Sequence, residues 1–282
     1  MANFHTRSDS FPSQSHTVVK SVEDQLCRLK SSEAASTSSS SVCENLDGLR
    51  ALHEDISNLI QLSSIQQALS HGQGQEFINE ILEGSLRIVD LCEFARDIVR
   101  LTKESVQDLK SSIRRNKGET ASAVNINSYI DSRNKIKKMI NKYAKNLKSS
   151  NKNSNKEATS SDCDLTAIRT VLKEAEVYTL TTLKSVLTLI SGEKETSSQR
   201  SWSLISKFTK ASRVHSEVEP ESSIKDLCSL NISKSQKGMD MQNMLKHLRA
   251  SEMTIQELEE GLETLFRSLV KTRVSILNIL SH

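Results

Sequence analysis

Between Pro12 and Pro220 the chain runs 207 residues without a proline. Inside a helix, proline costs about 3 kcal/mol, because it removes a backbone hydrogen bond and its ring clashes with the preceding turn. All-β folds need proline and glycine in their many turns. Here only eight glycines occur in 282 residues. So long a span with so few breakers points to long helices. No stretch alternates apolar and polar residues at the two-residue period of a half-buried strand.

The apolar spacing places the helices. A first is predicted over 15–32, with Val18, Val19, Val22, Leu26 and Leu29 on one side. A second is expected over 42–70, carrying Leu49, Leu52, Ile56, Leu59 and Leu69. His71-Gly72-Gln73-Gly74 then stops it, since glycine just past the last periodic residue is a helix-ending signal. This G-x-G is not read as a phosphate loop: it follows a helix rather than a strand and lacks a third glycine. A third helix is predicted over 75–115, although Gly84 inside it costs about 1 kcal/mol relative to alanine. A fourth covers 126–147, with Tyr129, Ile136, Ile140, Tyr143 and Leu147 on one face. A fifth starts at a cap on Asp162 or Asp164 and runs to Leu189, with Gly192 closing it. A short helix is expected over Trp202–Lys210.

The last helix has the clearest pattern. Ile255, Leu258, Leu262, Leu265, Leu269, Thr272, Ile276 and Ile279 alternate steps of three and four. That is a heptad seam, and Met244 and Leu248 extend its register toward Met239. Such a seam can pack inside its own chain or zip to a second copy. Several other helices also need a facing partner, which favours the internal arrangement. A homo-oligomer through the Ile255–Ile279 heptads is the alternative.

The expected fold is therefore all-α, an antiparallel bundle of about five or six long amphipathic helices. Residues 1–14 read as a disordered N-terminus and 15–282 as a single helical-bundle domain. Flexible inserts are expected at about 33–41, where serines cluster, at 148–161, which hold no large apolar residue, and at 211–222 around Pro220. Apolar residues make up 36% and aromatics 4%. The core must be lean, with Leu and Ile supplying most of the burial at about 25 cal/mol per Å².

The composition excludes several classes. The five cysteines are scattered, odd in number and form no C-x-x-C. That argues against a zinc site and a secreted disulfide framework, and for small buried thiols in a reducing compartment. No apolar run reaches the length of a membrane span, and the N-terminus lacks a signal peptide's apolar core. Residues 1–41 are Ser-rich like a transit peptide, but Asp9, Glu23 and Asp24 interrupt them and arginine is sparse. A cytoplasmic chain is expected, with peripheral membrane association. A plastid or mitochondrial address, or a nuclear one through Lys135-Ile-Lys-Lys138, is the weaker expectation.

No catalytic pattern is found. The seven histidines form no H-E-x-x-H, and there is no Walker loop and no G-x-S-x-G. His53 falls among the apolar positions of its helix and reads as a satisfied core or boundary histidine. Glu259, Glu260 and Glu263 read as the solvated flank of the heptad seam rather than as an acid–base pair, which needs a pocket that separates two pKa values. The chain is therefore expected not to be an enzyme, with no cofactor, no metal and no small-molecule substrate.

Charge is unevenly placed. Residues 110–156 hold thirteen Lys or Arg against two acids, a net of +11, while the rest of the chain nets −8. On the fourth helix Lys135, Lys138, Lys142 and Lys145 fall at steps of three and four beside the apolar face. Such a basic amphipathic helix can lie on an anionic bilayer or bind an acidic protein. The competing reading is a solvated face balanced by acids such as Glu257, Glu259, Glu260 and Glu263. Nucleic acid ranks lower, because no recognised binding motif is present. A second candidate is Arg200–Lys210, where Trp202 stands with Lys207 and Lys210 as at a bilayer interface, although a lone Trp is commonly a core anchor.

Several segments resemble the plant family of helical proteins that includes the BYPASS proteins. His5-Thr-Arg-Ser-Asp-Ser-Phe-Pro-Ser-Gln-Ser-His16 is similar to the family's Arg-Ser…Leu-Pro-Ser-x-x-His opening, with Phe11 where Leu is usual. Ser85-Leu-Arg-Ile-Val-Asp-Leu-Cys92 resembles its Ser-Leu-x-Leu-Leu-Asp-x-Cys helix. Ser112-Ile-Arg-Arg115, Ser128-Tyr129 before a Lys-rich stretch, and Ser203–Lys207 followed by Arg213-Val214 also fit. The end is the most specific: Leu258-Glu-Glu-Gly-Leu-Glu-Thr-Leu-Phe-Arg267, then Leu269–Asn278. The resemblance implies a non-enzymatic, all-helical plant protein, linked in parts of the family to root and shoot growth through signalling or membrane trafficking. It brings no catalytic or ligand residues and does not identify the partner. The resulting expectation is an interaction protein that binds a protein partner or an anionic membrane surface. The alternative is a nucleic-acid-associated regulator using residues 110–156.

Overall fold

The computed structural model describes residues 13–33, 39–70, 74–115, 119–150, 163–192 and 241–280. They form seven helices: α1 (Ser13–Glu33), α2 (Ser39–Ile60), α3 (Ser63–Ser70), α4 (Gly74–Arg115), α5 (Glu119–Ser150), α6 (Cys163–Ser191) and α7 (Met241–Leu280). No strand occurs among the described residues. The fold is an all-α bundle. Of the inserts expected at 33–41, 148–161 and 211–222, residues 39–41 and 148–150 are helical and Glu33 ends α1. Their remaining residues lie outside the described ones, as does the short helix expected over Trp202–Lys210.

One helix expectation is corrected. The segment predicted as a single helix over 42–70 is two, because the chain turns after Ile60. The Leu62 amide donates to the Leu59 carbonyl (3.2 Å) and the Ile65 amide to the Leu62 carbonyl (3.0 Å). The turn carries Ile65 into the core, where it is fully buried. A straight helix would instead have turned Ser63 and Gln66 to the face that carries Leu59. At the other stop the expectation holds. Gly192 takes a positive φ of 67°, which glycine tolerates, and its amide donates back to the Thr188 carbonyl.

The two longest helices form the centre. Arg96 pairs with Glu263, Lys103 with Glu259 and Lys110 with Glu252, so α4 and α7 run antiparallel. The heptad residues Ile255, Leu258, Leu262, Leu265, Leu269, Thr272, Ile276 and Ile279 are all buried within this one chain. α2 lies along the other side of α7. Ser268 donates to the Arg50 carbonyl, Thr272 to the His53 carbonyl, and Ser275 sits 3.3 Å from Ser57. Both residue numbers rise together, so α2 and α7 are parallel. The same holds for α4 and α6, where Glu80 meets Lys173 and Arg87 meets Glu176. Short turns make sequence neighbours antiparallel, but these two parallel contacts join helices far apart in the chain.

Gly84 explains itself here. A Cβ on it would lie 2.6 Å from Oε2 of Glu176, whose carboxylate lies over the α4 backbone and takes a hydrogen bond from Arg87 (2.7 Å). Gly84→Leu would have to displace that carboxylate and break the pair. That loss, about 1–3 kcal/mol for an overpacked position, is offset in part by the roughly 1 kcal/mol of helix propensity regained on replacing glycine, so a small net drop in the denaturation midpoint is expected.

Candidate functional site

α5 covers the side of the bundle formed by α4 and α6. Tyr129, Ile136 and Ile140 are buried, and Tyr143 and Leu147 pack half-buried against the same core. Tyr143 stacks on Phe94 of α4 with ring centroids 4.0 Å apart and planes within 6°. Its hydroxyl is pushed above the usual tyrosine range by burial and by the nearby Asp90 carboxylate.

Arg133 belongs to this inner face. It is 7% exposed, and its guanidinium donates to the Ile190 carbonyl at the last turn of α6. A cation there satisfies a carbonyl that the helix leaves open and meets the negative end of the helix dipole. In the sequence Arg133 is only one of the thirteen cations of residues 110–156. Its spacing, four after Tyr129 and three before Ile136, was the signal that it lies on the apolar stripe.

Lys135, Lys138, Lys142 and Lys145 are all exposed, and they occupy the face opposite the apolar one rather than the expected strip beside it. Ten residues of helix separate the first from the last, about 15 Å along the axis. None of the four forms an ion pair with an acid among the described residues. Met139 stands beside them, 41% exposed. Trp202, Lys207 and Lys210 lie outside the described residues.

Two of the four acids expected to balance this helix serve α4 instead. Glu259 pairs with Lys103, and Glu263 with Arg96 and Arg267. Arg96 also lies over the Phe266 ring, 4.3 Å from its centroid. Glu252 pairs with Lys110, whose hydrogen bond holds the Glu252 carboxyl below its ordinary range. The basic segment is thereby divided. Lys110 and Arg133 are absorbed by the bundle, and the lysine stripe of α5 is left in solvent.

The remaining reactive groups are structural. Burial pushes the Cys43 thiol up to about 11 and the Cys92 thiol to about 12, far from a nucleophilic thiolate. Cys92 is buried as expected, but Cys27 is exposed on α1, which corrects the expectation of buried thiols there. His53 is buried between α2, α6 and α7. Its Nε2 lies 2.9 Å from Thr179 Oγ1, and that hydroxyl donates to the Ala175 carbonyl (2.7 Å). Nε2 must then carry the proton, leaving Nδ1 as an acceptor without a partner. Desolvation lowers His53 to about 4.

His53 also lines a cavity of about 50 Å³, walled by Ile60, Phe77, Ile81, Leu172 and Ile276. This pairing of a pocket with a shifted histidine is what an acid–base site would show. The shift comes from desolvation alone, however, and a histidine near 4 is a weak base at neutral pH. Two hydroxyls share the lining. Ser85 donates to the Leu82 carbonyl, and Thr272 lies 3.0 Å from the carbonyls of His53 and Ser268. Neither hydroxyl is activated as a nucleophile. Among the described residues no group of His, Cys, Asp and Glu is placed to hold a metal ion. Nor is any described helix long and apolar enough to cross a membrane.

Fold and site define a class, an all-helical bundle that displays a basic helix and has no assembled catalytic group among its described residues. Residues 45–279 match the family described as Protein BPS1, and the chain belongs to this family. The resemblance to BYPASS-related proteins read from the sequence is to the same family. The match takes in α3 to α6, α2 from residue 45 onward and all of α7 but its last residue, and it excludes the His5–His16 motif. No curated protein and no solved structure is significantly similar to the chain. Membership is consistent with a plant developmental role.

Proposed function

We propose that this chain is a non-enzymatic interaction protein that binds an anionic membrane surface peripherally through α5, within a plant family linked to root and shoot development. The observation that carries this is the state of four lysines. Lys135, Lys138, Lys142 and Lys145 stand exposed and form no ion pair with an acid among the described residues, while the cations on α4 that face α7 are matched by acids. Near an acidic bilayer each such lysine contributes about 1 kcal/mol. Exposed Met139 adds an apolar contact beside them.

The test is co-sedimentation with vesicles of neutral lipid and of lipid mixed with phosphatidylserine. Wild type is expected to sediment with the acidic vesicles only and to be released by high salt, which screens exposed charges. The variant with all four lysines changed to Glu is expected to stay in the supernatant, with unchanged helicity. Failure of folded wild type to bind acidic vesicles would sink this reading and turn the search to acidic proteins or oligonucleotides.

A further inference from the structure

Resting on that membrane reading, we infer that α5 engages the bilayer while still docked on the bundle, so that its lysine stripe touches headgroups and its apolar face never enters the lipid. An amphipathic helix usually binds a membrane the other way round, apolar face down, with lysines at its flanks. Two features of α5 oppose that mode.

The first is the angle between its faces. At 100° per residue, the stripe formed by Lys135, Lys138, Lys142 and Lys145 lies nearly opposite Tyr129, Ile136 and Ile140. If the apolar face entered the bilayer, the lysines would point away from the headgroups. With that face in the bundle, all four point outward together.

The second is Arg133. It shares the apolar face, buried, with its guanidinium on the Ile190 carbonyl. Undocking would strip that carbonyl of its donor and carry a charged guanidinium toward hydrocarbon, where it is strongly disfavoured. The stacked Phe94–Tyr143 pair would be lost as well. Docked binding keeps all of these contacts. The stripe also has no cupped pocket and no arginine fork to fit one headgroup, so recognition should follow the charge density of the surface.

Single-tryptophan variants of the full chain test the mode. In a Trp202→Phe background, Tyr143→Trp reports the inner face of α5 and Met139→Trp the lysine face. Both are mixed with acidic vesicles containing brominated acyl chains, with co-sedimentation as the control for binding. On binding, the Met139→Trp emission is expected to shift to the blue, while the Tyr143→Trp emission is neither shifted nor quenched. Strong bromine quenching of Tyr143→Trp in vesicle-bound protein would overturn the docked mode and leave the membrane reading intact. Absence of vesicle binding by wild type removes both. If Tyr143→Trp fails to fold, Leu147→Trp, also on the half-buried inner face, reports in its place.

Discussion

Replacing Leu262 by Ala is expected to lower the unfolding free energy by about 3–5 kcal/mol, the upper range for a buried leucine that leaves a cavity. Leu262 is fully buried at the middle of the α7 seam, and Cys92 of α4 places its Sγ 3.8 Å from the Leu262 carbonyl. The two longest helices meet there, leaving little freedom to collapse around the void. Val274→Ala on the same helix is the control. Val274 is 49% exposed, and its truncation should change stability by no more than about 0.5 kcal/mol. Urea denaturation followed by circular dichroism gives both values. Because the seam is filled from within the chain, the wild-type midpoint is expected not to move with protein concentration. A rise with concentration would mean that a second copy shares the seam.

Lowering the pH from neutral to about 4 should cost this bundle about 3 kcal/mol through His53 alone. Burial takes His53 from 6.5 to about 4. In the unfolded chain it accepts a proton as the pH falls through 6.5, whereas in the folded chain it stays neutral until about 4. Between those values the unfolded state holds more protons, so stability falls with falling pH. Each unit of difference is worth about 1.4 kcal/mol, which sets the total. The stabilisation is fully present above 6.5 and lost as the pH drops through the folded value. Glu252 has the same sign over a lower range: its depressed carboxyl stabilises the fold above 4.5 and loses that effect below it. His53→Leu should flatten the slope between 6.5 and 4.5. The Thr179 hydroxyl keeps its bond to the Ala175 carbonyl in that variant, so no donor is orphaned. Stability measured by urea at several pH values decides this, and an unchanged slope in His53→Leu would refute the assignment to His53.

The charged groups show where sequence reading stops. Lys135, Lys138, Lys142 and Lys145 could be placed on one stripe of a helix, and that stripe exists. Whether acids covered it depended on which helix α7 would face. Glu259 and Glu263 sit in a heptad flank whose partner the pattern does not name, and they pair with Lys103 and Arg96 of α4. Arg133 shows the converse. It looked like one of many cations, and it is buried because the open carbonyl end of α6 arrives beside it.

Most of the helices were written in local sequence, because a helix needs only a period, few breakers and an end signal. The Pro-free span, the apolar stripes, the heptads of α7 and the stop at Gly192 each act within a few turns of chain. The family likeness was local too, carried by short motifs in order. What the tertiary structure decided was every choice between partners. It set α7 between α2 and α4, ran α2 and α7 parallel, and turned the chain at Gln61 so that Ile65 could be buried. The physical reason is that an apolar stripe states only that it must be covered. Which stripe covers it depends on shape and charge matching between helices far apart in the chain, and the same matching left one row of lysines facing water.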